Sequence, residues 1–308
     1  MANNQKNTTL SCFSHVKRAT ASKTDQIKRP DSFGLYSDTV FLGDNSGSMA
    51  TMGRAPEDGA RLFAEKYRDL GVANKAQTPT CLVFAVFSTT CVEVYSGDPA
   101  NLTQNQIDLC AHSMRPTNLT RFYDSAIEQL TAQAKRIRES YATLPLETRR
   151  LVPLDQYGSV VFATLTDGHD NVSTLCDGPA LKRAFNRHKA EFGAKIIFIA
   201  ANMSAKDVGE SYGIDEDACL QMGSDQIHSQ EAFKAITSAC LRQASGSVPL
   251  MAHQTFTGLQ RQASCSPSEA QQYSAPVKGT NFVQPQGFPQ LPPLGGGLRR
   301  QNAMNSPF

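Results

Sequence analysis

The chain has 308 residues, of which 40% are hydrophobic and 19% charged, and a formal net charge of +2. This length and composition suit one large domain or two small ones, and they exclude a fibrous or wholly disordered protein. We expect a cytoplasmic, intracellular protein without a membrane partner, because no apolar run reaches the roughly 18 residues of a membrane span and the N-terminal residues lack a stretch of signal-peptide length.

Charge is unevenly distributed along the chain. Residues 1–30 hold six basic residues and one acid, residues 31–246 hold 20 and 26, and residues 247–308 hold four and one. The net charges of these three segments are therefore +5, −6 and +3. Residues 1–30 show no sustained apolar period, which predicts a flexible basic extension. Because the central segment is acidic, we expect the core domain to bind no nucleic acid.

Strand-like and helical patterns alternate through residues 31–246. In chain order they predict a strand at 39–42, a helix at 55–70, strands at 81–87 and 91–95, a helix at 121–138, a strand at 159–165, a helix at 180–192, strands at 195–200 and 218–222, and a helix at 230–243. Most of the strands are continuously apolar, as in a sheet that is covered on both faces. The alternation predicts one α/β domain with a mostly parallel sheet.

Two segments fall outside this pattern. Residues 247–308 contain eight of the 16 prolines and end in a Pro/Gly/Gln-rich stretch that cannot bury a core, so we predict a flexible tail. Residues 140–158 form a longer connector than the fold needs, and both a partner-specific loop and a surface insertion without a role fit it. The eight cysteines show neither a Cys-x-x-Cys pair nor zinc spacing, so we expect reduced, packed thiols.

Side chains with oxygen donors follow two of the predicted strands. The motif DNSGS occupies residues 44–48, and TDGHD occupies residues 166–170. In an open parallel sheet, ligands bind beyond the carboxyl ends of the strands, at the point where the winding reverses. Carboxylates and hydroxyls suit a hard cation such as Mg²⁺, and no His/Cys set is present to recruit zinc.

These motifs resemble the metal-ion-dependent adhesion site (MIDAS) of von Willebrand factor type A (VWA) domains. Asp44-x-Ser46-x-Ser48 is similar to the first MIDAS segment, and LTRFYDSAI at 119–127 and LTDG at 165–168 are similar to the second and third. Thr120 aligns with the threonine of the second segment, with Thr117 as the less favoured alternative. The resemblance spans about residues 35–245, and residues 198–214 resemble intracellular members of microbial and viral type. Gly43 departs from the family, in which an apolar strand residue is commoner at this position.

The resemblance implies a VWA domain at residues 31–246 with a doubly wound, Rossmann-like sheet, helices on both faces and one antiparallel edge strand. It also implies an intact MIDAS that binds Mg²⁺, with Mn²⁺ or Ca²⁺ as alternatives. Ser46, Ser48 and Thr120 would bind the ion directly, and Asp44 and Asp167 would bind it mostly through water. An open coordination position would then take an Asp or Glu of a partner protein. The implied function is protein binding without catalysis.

Residues beside the predicted ligands are candidates for contacts with the partner. This rim comprises Asn45, Arg121, His169 and Asp170. Each also has a simpler interpretation, such as a solvated arginine at a helix start for Arg121. Asp124, inside the helix, is interpreted as a local cap or hydrogen-bond acceptor.

Two other functions stay open on the sequence. The first is a structural or assembly component of a virion or another large complex, with the VWA domain as a building block and the tail as a tether. The second is a metal-dependent hydrolase. It is less favoured because the chain lacks a G-x-S-x-G motif and signs of an oxyanion hole or of a second metal. The sequence leaves the oligomeric state open.

Overall fold

A six-stranded sheet forms the centre of the part that the computed structural model describes, namely residues 35–74, 78–117, 119–168, 170–245 and 255–274. The strands are β1 (Ser37–Asp44), β2 (Thr80–Phe87), β3 (Cys91–Gly97), β4 (Ser159–Thr166), β5 (Lys195–Ala200) and β6 (Cys219–Gln221). They lie in the order β3-β2-β1-β4-β5-β6. β3 pairs with β2 in antiparallel fashion, and the other neighbouring strands are parallel.

The helices that connect and flank these strands vary in length from six to 21 residues. They are α1 (Ala55–Asn74), α2 (Gln104–Ser113), α3 (Phe122–Ala142), α4 (Leu146–Leu151), α5 (Gly178–Phe192), α6 (Ala205–Ser211), α7 (Gln226–Ala244), α8 (Gly258–Ala263) and α9 (Pro267–Ser274). In the described residues, none of them combines the length and hydropathy needed to cross a bilayer.

Helices cover both faces of the sheet. In β1, Phe41 packs in the cluster that includes residues of α1, α2 and α7, whereas Val40 and Leu42 pack in the cluster that includes residues of α3, α5 and α6. Successive strand residues point to opposite faces, so a strand that is buried on both faces carries apolar residues at successive positions. The architecture confirms the predicted fold class, a doubly wound, mostly parallel α/β sheet with one antiparallel edge strand.

The sheet order places β1 beside β4 at the centre. From β1 the chain proceeds outward through α1 to β2, and from β4 it proceeds to β5 on the other side. The winding therefore reverses between β1 and β4. Because these strands are parallel, the residues that follow Asp44 and Thr166 emerge side by side at the same edge.

The connector at 140–158 contains regular structure and makes contacts with the rest of the domain. It contains α4, and the buried ring of Tyr157 stacks on that of Tyr36 with a centroid distance of 5.3 Å. The hydroxyl of Tyr141 donates a 2.8 Å hydrogen bond to the carbonyl of Val152. Part of the connector is therefore fixed to the body, while Leu146 and Leu151 stay exposed.

Residues 255–274, which the composition placed in the tail, include α8 and α9. α8 bonds to β6, and Glu269 of α9 accepts a 3.2 Å hydrogen bond from the hydroxyl of Ser224, which follows β6. The side chains of Phe256 and Cys265 are buried, and the guanidinium of Arg261 donates a 2.7 Å hydrogen bond to the carbonyl of Cys219. Residues 255–273 belong to one compact unit with the other described residues that precede them. The predicted N-terminal extension at 1–30 and the remaining tail residues, 247–254 and 275–308, lie outside the described residues.

Candidate metal site

Asp44 is the last residue of β1, and its carboxylate is fully buried at the sheet edge. Its Oδ1 accepts a 2.7 Å hydrogen bond from the backbone N–H of Ser46, and its Oδ2 accepts a 2.6 Å bond from the hydroxyl of Thr166. Thr166 is the last residue of β4. The carboxylate is therefore oriented both by its own loop and by the neighbouring strand.

Three further predicted ligands form a continuous chain of oxygen atoms. The hydroxyls of Ser46 and Ser48 lie 3.0 Å apart, and the Ser48 hydroxyl donates a 2.7 Å hydrogen bond to Oδ1 of Asp167. Two loops that are distant in sequence thus meet through their polar side chains.

Thr120 faces the same space from the loop before α3. A Cβ atom on Gly168 would lie 3.5 Å from the Thr120 hydroxyl and 3.7 Å from the Ser48 hydroxyl. Both hydroxyls therefore border the space that glycine leaves open at position 168. The alternative, Thr117, uses its hydroxyl to donate a 3.0 Å bond to the carbonyl of Asn45. This contact gives Thr117 a structural role and favours Thr120 as the ligand.

Burial is the dominant electrostatic feature of the site. Desolvation raises the pKa of Asp44 to about 6, against the lowering effect of its hydrogen bonds from Thr166 and Ser46. Burial also raises the pKa of Asp167. Oδ2 of Asp167 is buried and has no hydrogen-bond partner among the described residues.

This donor set fits a hard divalent cation. A carboxylate that is removed from water is costly unless a positive charge or hydrogen bonds compensate it. The two buried acids and three hydroxyls supply only oxygen atoms, which are the ligands that Mg²⁺ and Ca²⁺ prefer. A cation would also give the unpartnered oxygen of Asp167 a partner.

Three of the predicted rim residues lie in the described part of the chain. Asn45 is buried, and its amide donates a 3.0 Å bond to the carbonyl of Ser113. The Arg121 side chain is 24% exposed and donates to the Asp124 carboxylate at 3.2 Å. Asp170 accepts a 2.9 Å bond from the backbone N–H of Tyr123. His169 lies outside the described residues.

Gly43 has a packing explanation that the sequence did not reveal. A Cβ atom at this position would lie 2.6 Å from the sulfur of Met114, which is fully buried at the end of α2. The glycine therefore lets Met114 fill the space beside the strand end that positions Asp44. Sequence reasoning missed this contact because α2 itself was not predicted.

A second group of potential metal ligands shares no residue with this site. One donor atom each of Asp225, His228 and Glu269 lies within 4.8 Å of the others. Asp225 caps α7 by accepting a 2.9 Å bond from the N–H of Ile227, and Glu269 accepts a 3.3 Å bond from the N–H of Ser266 at the start of α9. Helix capping thus explains both carboxylates, and the positive ends of two helices disfavour a cation there.

No protein-family model and no curated protein matches the chain. Among solved structures, the pilus adhesin SpaC from Lactobacillus rhamnosus GG in its open conformation matches with a TM-score of 0.46 and 11% identity, over 68% of this chain and 30% of SpaC. Proximal thread matrix protein 1 from the mussel byssus, with a zinc-occupied MIDAS motif, has a TM-score of 0.47 and 15% identity, over 69% of this chain and 49% of that protein.

A von Willebrand factor type A protein from Catenulispora acidiphila has a TM-score of 0.39 and 14% identity, over 67% of this chain and 43% of that protein. The chain thus spans less than half the length of each of these three proteins. These similarities are of fold alone.

Proposed function

We propose that this protein is a metal-dependent protein-binding module of the VWA type, in which a divalent cation binds an acidic residue of a partner protein. The proposed ligands are those that the sequence predicted: Asp44, Ser46, Ser48, Thr120 and Asp167. The observation that supports the proposal most directly is the buried, unpartnered Oδ2 of Asp167, in a side chain whose other oxygen joins the chain of hydroxyls.

The two kinds of ligand would have different roles. We propose that the hydroxyls bind the ion directly, whereas the carboxylates of Asp44 and Asp167 act mostly through water and balance its charge. An ion whose direct ligands are neutral retains more positive charge for an incoming carboxylate. Mg²⁺ is the first choice because it prefers oxygen ligands and keeps several waters, and Mn²⁺ and Ca²⁺ are the alternatives.

The partner would contact the rim as well as the ion. We propose Asn45, Arg121, His169 and Asp170 as rim residues, of which Asn45 is buried and would line the rim from below. Exposed apolar side chains lie in the loops that carry Arg121 and Asp170, since Leu119 is 51% exposed and Leu175 is 80% exposed. We propose that these side chains offer the partner apolar surface.

Calorimetry with Mg²⁺ and Mn²⁺ tests the metal site first. We expect the wild-type protein to take up one ion and the Ser48→Ala variant to lose most of this binding. Thr51→Ala is the matched control, because its hydroxyl belongs to the same turn, donates to the carbonyl of Ser48 and is not a proposed ligand. Equal metal binding by Ser48→Ala and wild type would contradict the assignment of this hydroxyl.

Affinity capture from the native source, in Mg²⁺ and in EDTA, tests the function itself. We expect a partner that is retained by wild type only in Mg²⁺ and is lost with Ser48→Ala. Replacing the acidic residues of that partner should abolish its retention. Retention by residues 247–308 alone would instead favour the assembly function, and a hydrolase activity that is lost on chelation would favour the enzyme.

A further inference from the structure

The loop that carries Thr120 is paired directly with the loop that carries Asp167. The backbone N–H of Thr120 donates a 3.0 Å hydrogen bond to Oδ1 of Asn171, and the N–H of Asn171 donates a 3.0 Å bond to the carbonyl of Thr120. One residue of the β4–α5 loop therefore satisfies both backbone groups of a proposed metal ligand on another loop.

Asp170 extends this pairing to the start of α3. One carboxylate oxygen, Oδ2, accepts the 2.9 Å bond from the N–H of Tyr123, and the other, Oδ1, accepts a 2.9 Å bond from the N–H of Ser173. The N–H groups of the first helical turn have no partner within the helix, so the carboxylate of Asp170, in the β4–α5 loop, supplies an acceptor for one of them.

Asp124 makes the reciprocal contact from the helix to the loop. Its side chain is 1% exposed, and it accepts hydrogen bonds from the N–H groups of Thr174, Leu175 and Cys176 at 3.0, 3.2 and 2.8 Å. Arg121 adds a charged partner at 3.2 Å. Hydrogen bonds to an ionised acceptor are stronger than those between neutral groups.

We infer that Asp124 and Asp170 are positioning residues for the metal site, and we call the pair the loop brace. They fasten the loop that carries Asp167 to the loop that carries Thr120, so that these two ligands keep one arrangement relative to each other. The inference rests on the proposed function, because it assigns both loops to a common ion. Groups that orient metal ligands without touching the metal typically change affinity by about 10- to 100-fold when replaced.

Calorimetric titration with Mg²⁺ tests the loop brace in two variants, Asp124→Asn and Asp170→Asn. We expect each variant to bind the ion about 10- to 100-fold more weakly than wild type. Asp177→Asn is the matched control, since Asp177 lies in the same loop but caps α5 by accepting a 2.8 Å bond from the N–H of Ala180. Its dissociation constant should equal that of wild type. Brace variants that unfold more easily but bind Mg²⁺ as wild type does would overturn the inference.

Amide hydrogen exchange in EDTA tests the coupling of the loops without any metal. If the loops form one unit, Asp170→Asn should speed exchange at Thr174, Leu175 and Cys176, although Asp124 and not Asp170 binds these amides. Faster exchange at Tyr123 and Ser173 alone would show that the two contacts are independent and would contradict the brace. Wild-type protein that takes up no metal would overturn the proposed function, and the exchange measurement alone would then decide whether the loops are coupled.

Discussion

Replacing Asp44 with asparagine should stabilise the metal-free protein while it removes metal binding. Burial raises the pKa of this carboxyl from 3.8 to about 6. Between these two pH values the native state holds a proton that the unfolded chain has released, so the free energy of unfolding falls as the pH rises through this window. At neutral pH the ionised carboxylate therefore costs about 3 kcal/mol of stability when no cation is bound.

Asparagine keeps the shape and the hydrogen bonds of the site. Its carbonyl oxygen can accept from the N–H of Ser46, and its amide can donate to the hydroxyl of Thr166, which in turn donates to the carbonyl of Gly168 at 3.1 Å. In EDTA at neutral pH we expect Asp44→Asn to raise the free energy of unfolding by up to about 3 kcal/mol. Mg²⁺ at about 100 times its dissociation constant should add about 2.7 kcal/mol to wild type and almost nothing to the variant.

Urea unfolding followed by circular dichroism, in EDTA and in Mg²⁺, measures both effects. Ser48→Ala is the control, because it removes a proposed hydroxyl ligand and leaves the buried charge of Asp44 in place. It should lose the response to Mg²⁺ without gaining stability in EDTA. If Asp44→Asn were less stable than wild type in EDTA, or kept the full response to Mg²⁺, the reasoning would be refuted.

Two further substitutions test a buried histidine and a close contact between two helices. Burial lowers the pKa of His188 to about 4, and Arg138 and Arg136 act in the same direction. The free energy of unfolding should therefore fall as the pH drops from 6.5 to about 4. In His188→Gln this loss should be smaller by about 3 kcal/mol, as measured by urea unfolding across that pH range. In α1, a Cβ on Gly59 would overlap the ring of Phe233, so Gly59→Ala should lower the free energy of unfolding by about 1–3 kcal/mol. Gly258→Ala, whose new methyl group meets no atom within 4 Å, should be neutral or slightly stabilising, and equal effects of the two changes would contradict the packing argument.

The strands were predictable because their environment leaves a simple pattern in the sequence. All eight residues of β1 and all eight of β4 are buried, and burial on both faces leaves an apolar run at the centre of each strand, Val40–Leu42 in β1 and Val160–Ala163 in β4. The buried polar residues at the start of β1, such as Asp38, which pairs with Arg136, lie outside this pattern. The short helices α4 and α8 were harder to predict, because neither contains a buried residue. Their apolar periodicity is therefore absent. For α8, the capping pair of Thr257 and Gln260 was the signal that could have found it.

The candidate site could likewise be predicted only in part. Asp44 and Asp167 could be predicted to lie at one edge of the sheet, because each stands at the carboxyl end of an apolar strand and parallel strands share that edge. The loop brace could not be derived, because the partners of Asp124 lie 50 to 52 residues further along the chain. Such a contact depends on the final path of two loops, which local patterns do not specify.

The docking of α8 on β6 has a practical consequence for the choice of recombinant fragments. Truncation after residue 246 would remove Arg261 and Ser264, which bond to the carbonyls of Cys219 and Gln221 at 2.7 and 2.9 Å. The outer side of a short strand would then be bare and free to recruit the same strand of another molecule, a common route to aggregation. Recombinant fragments should therefore extend to at least Ser274.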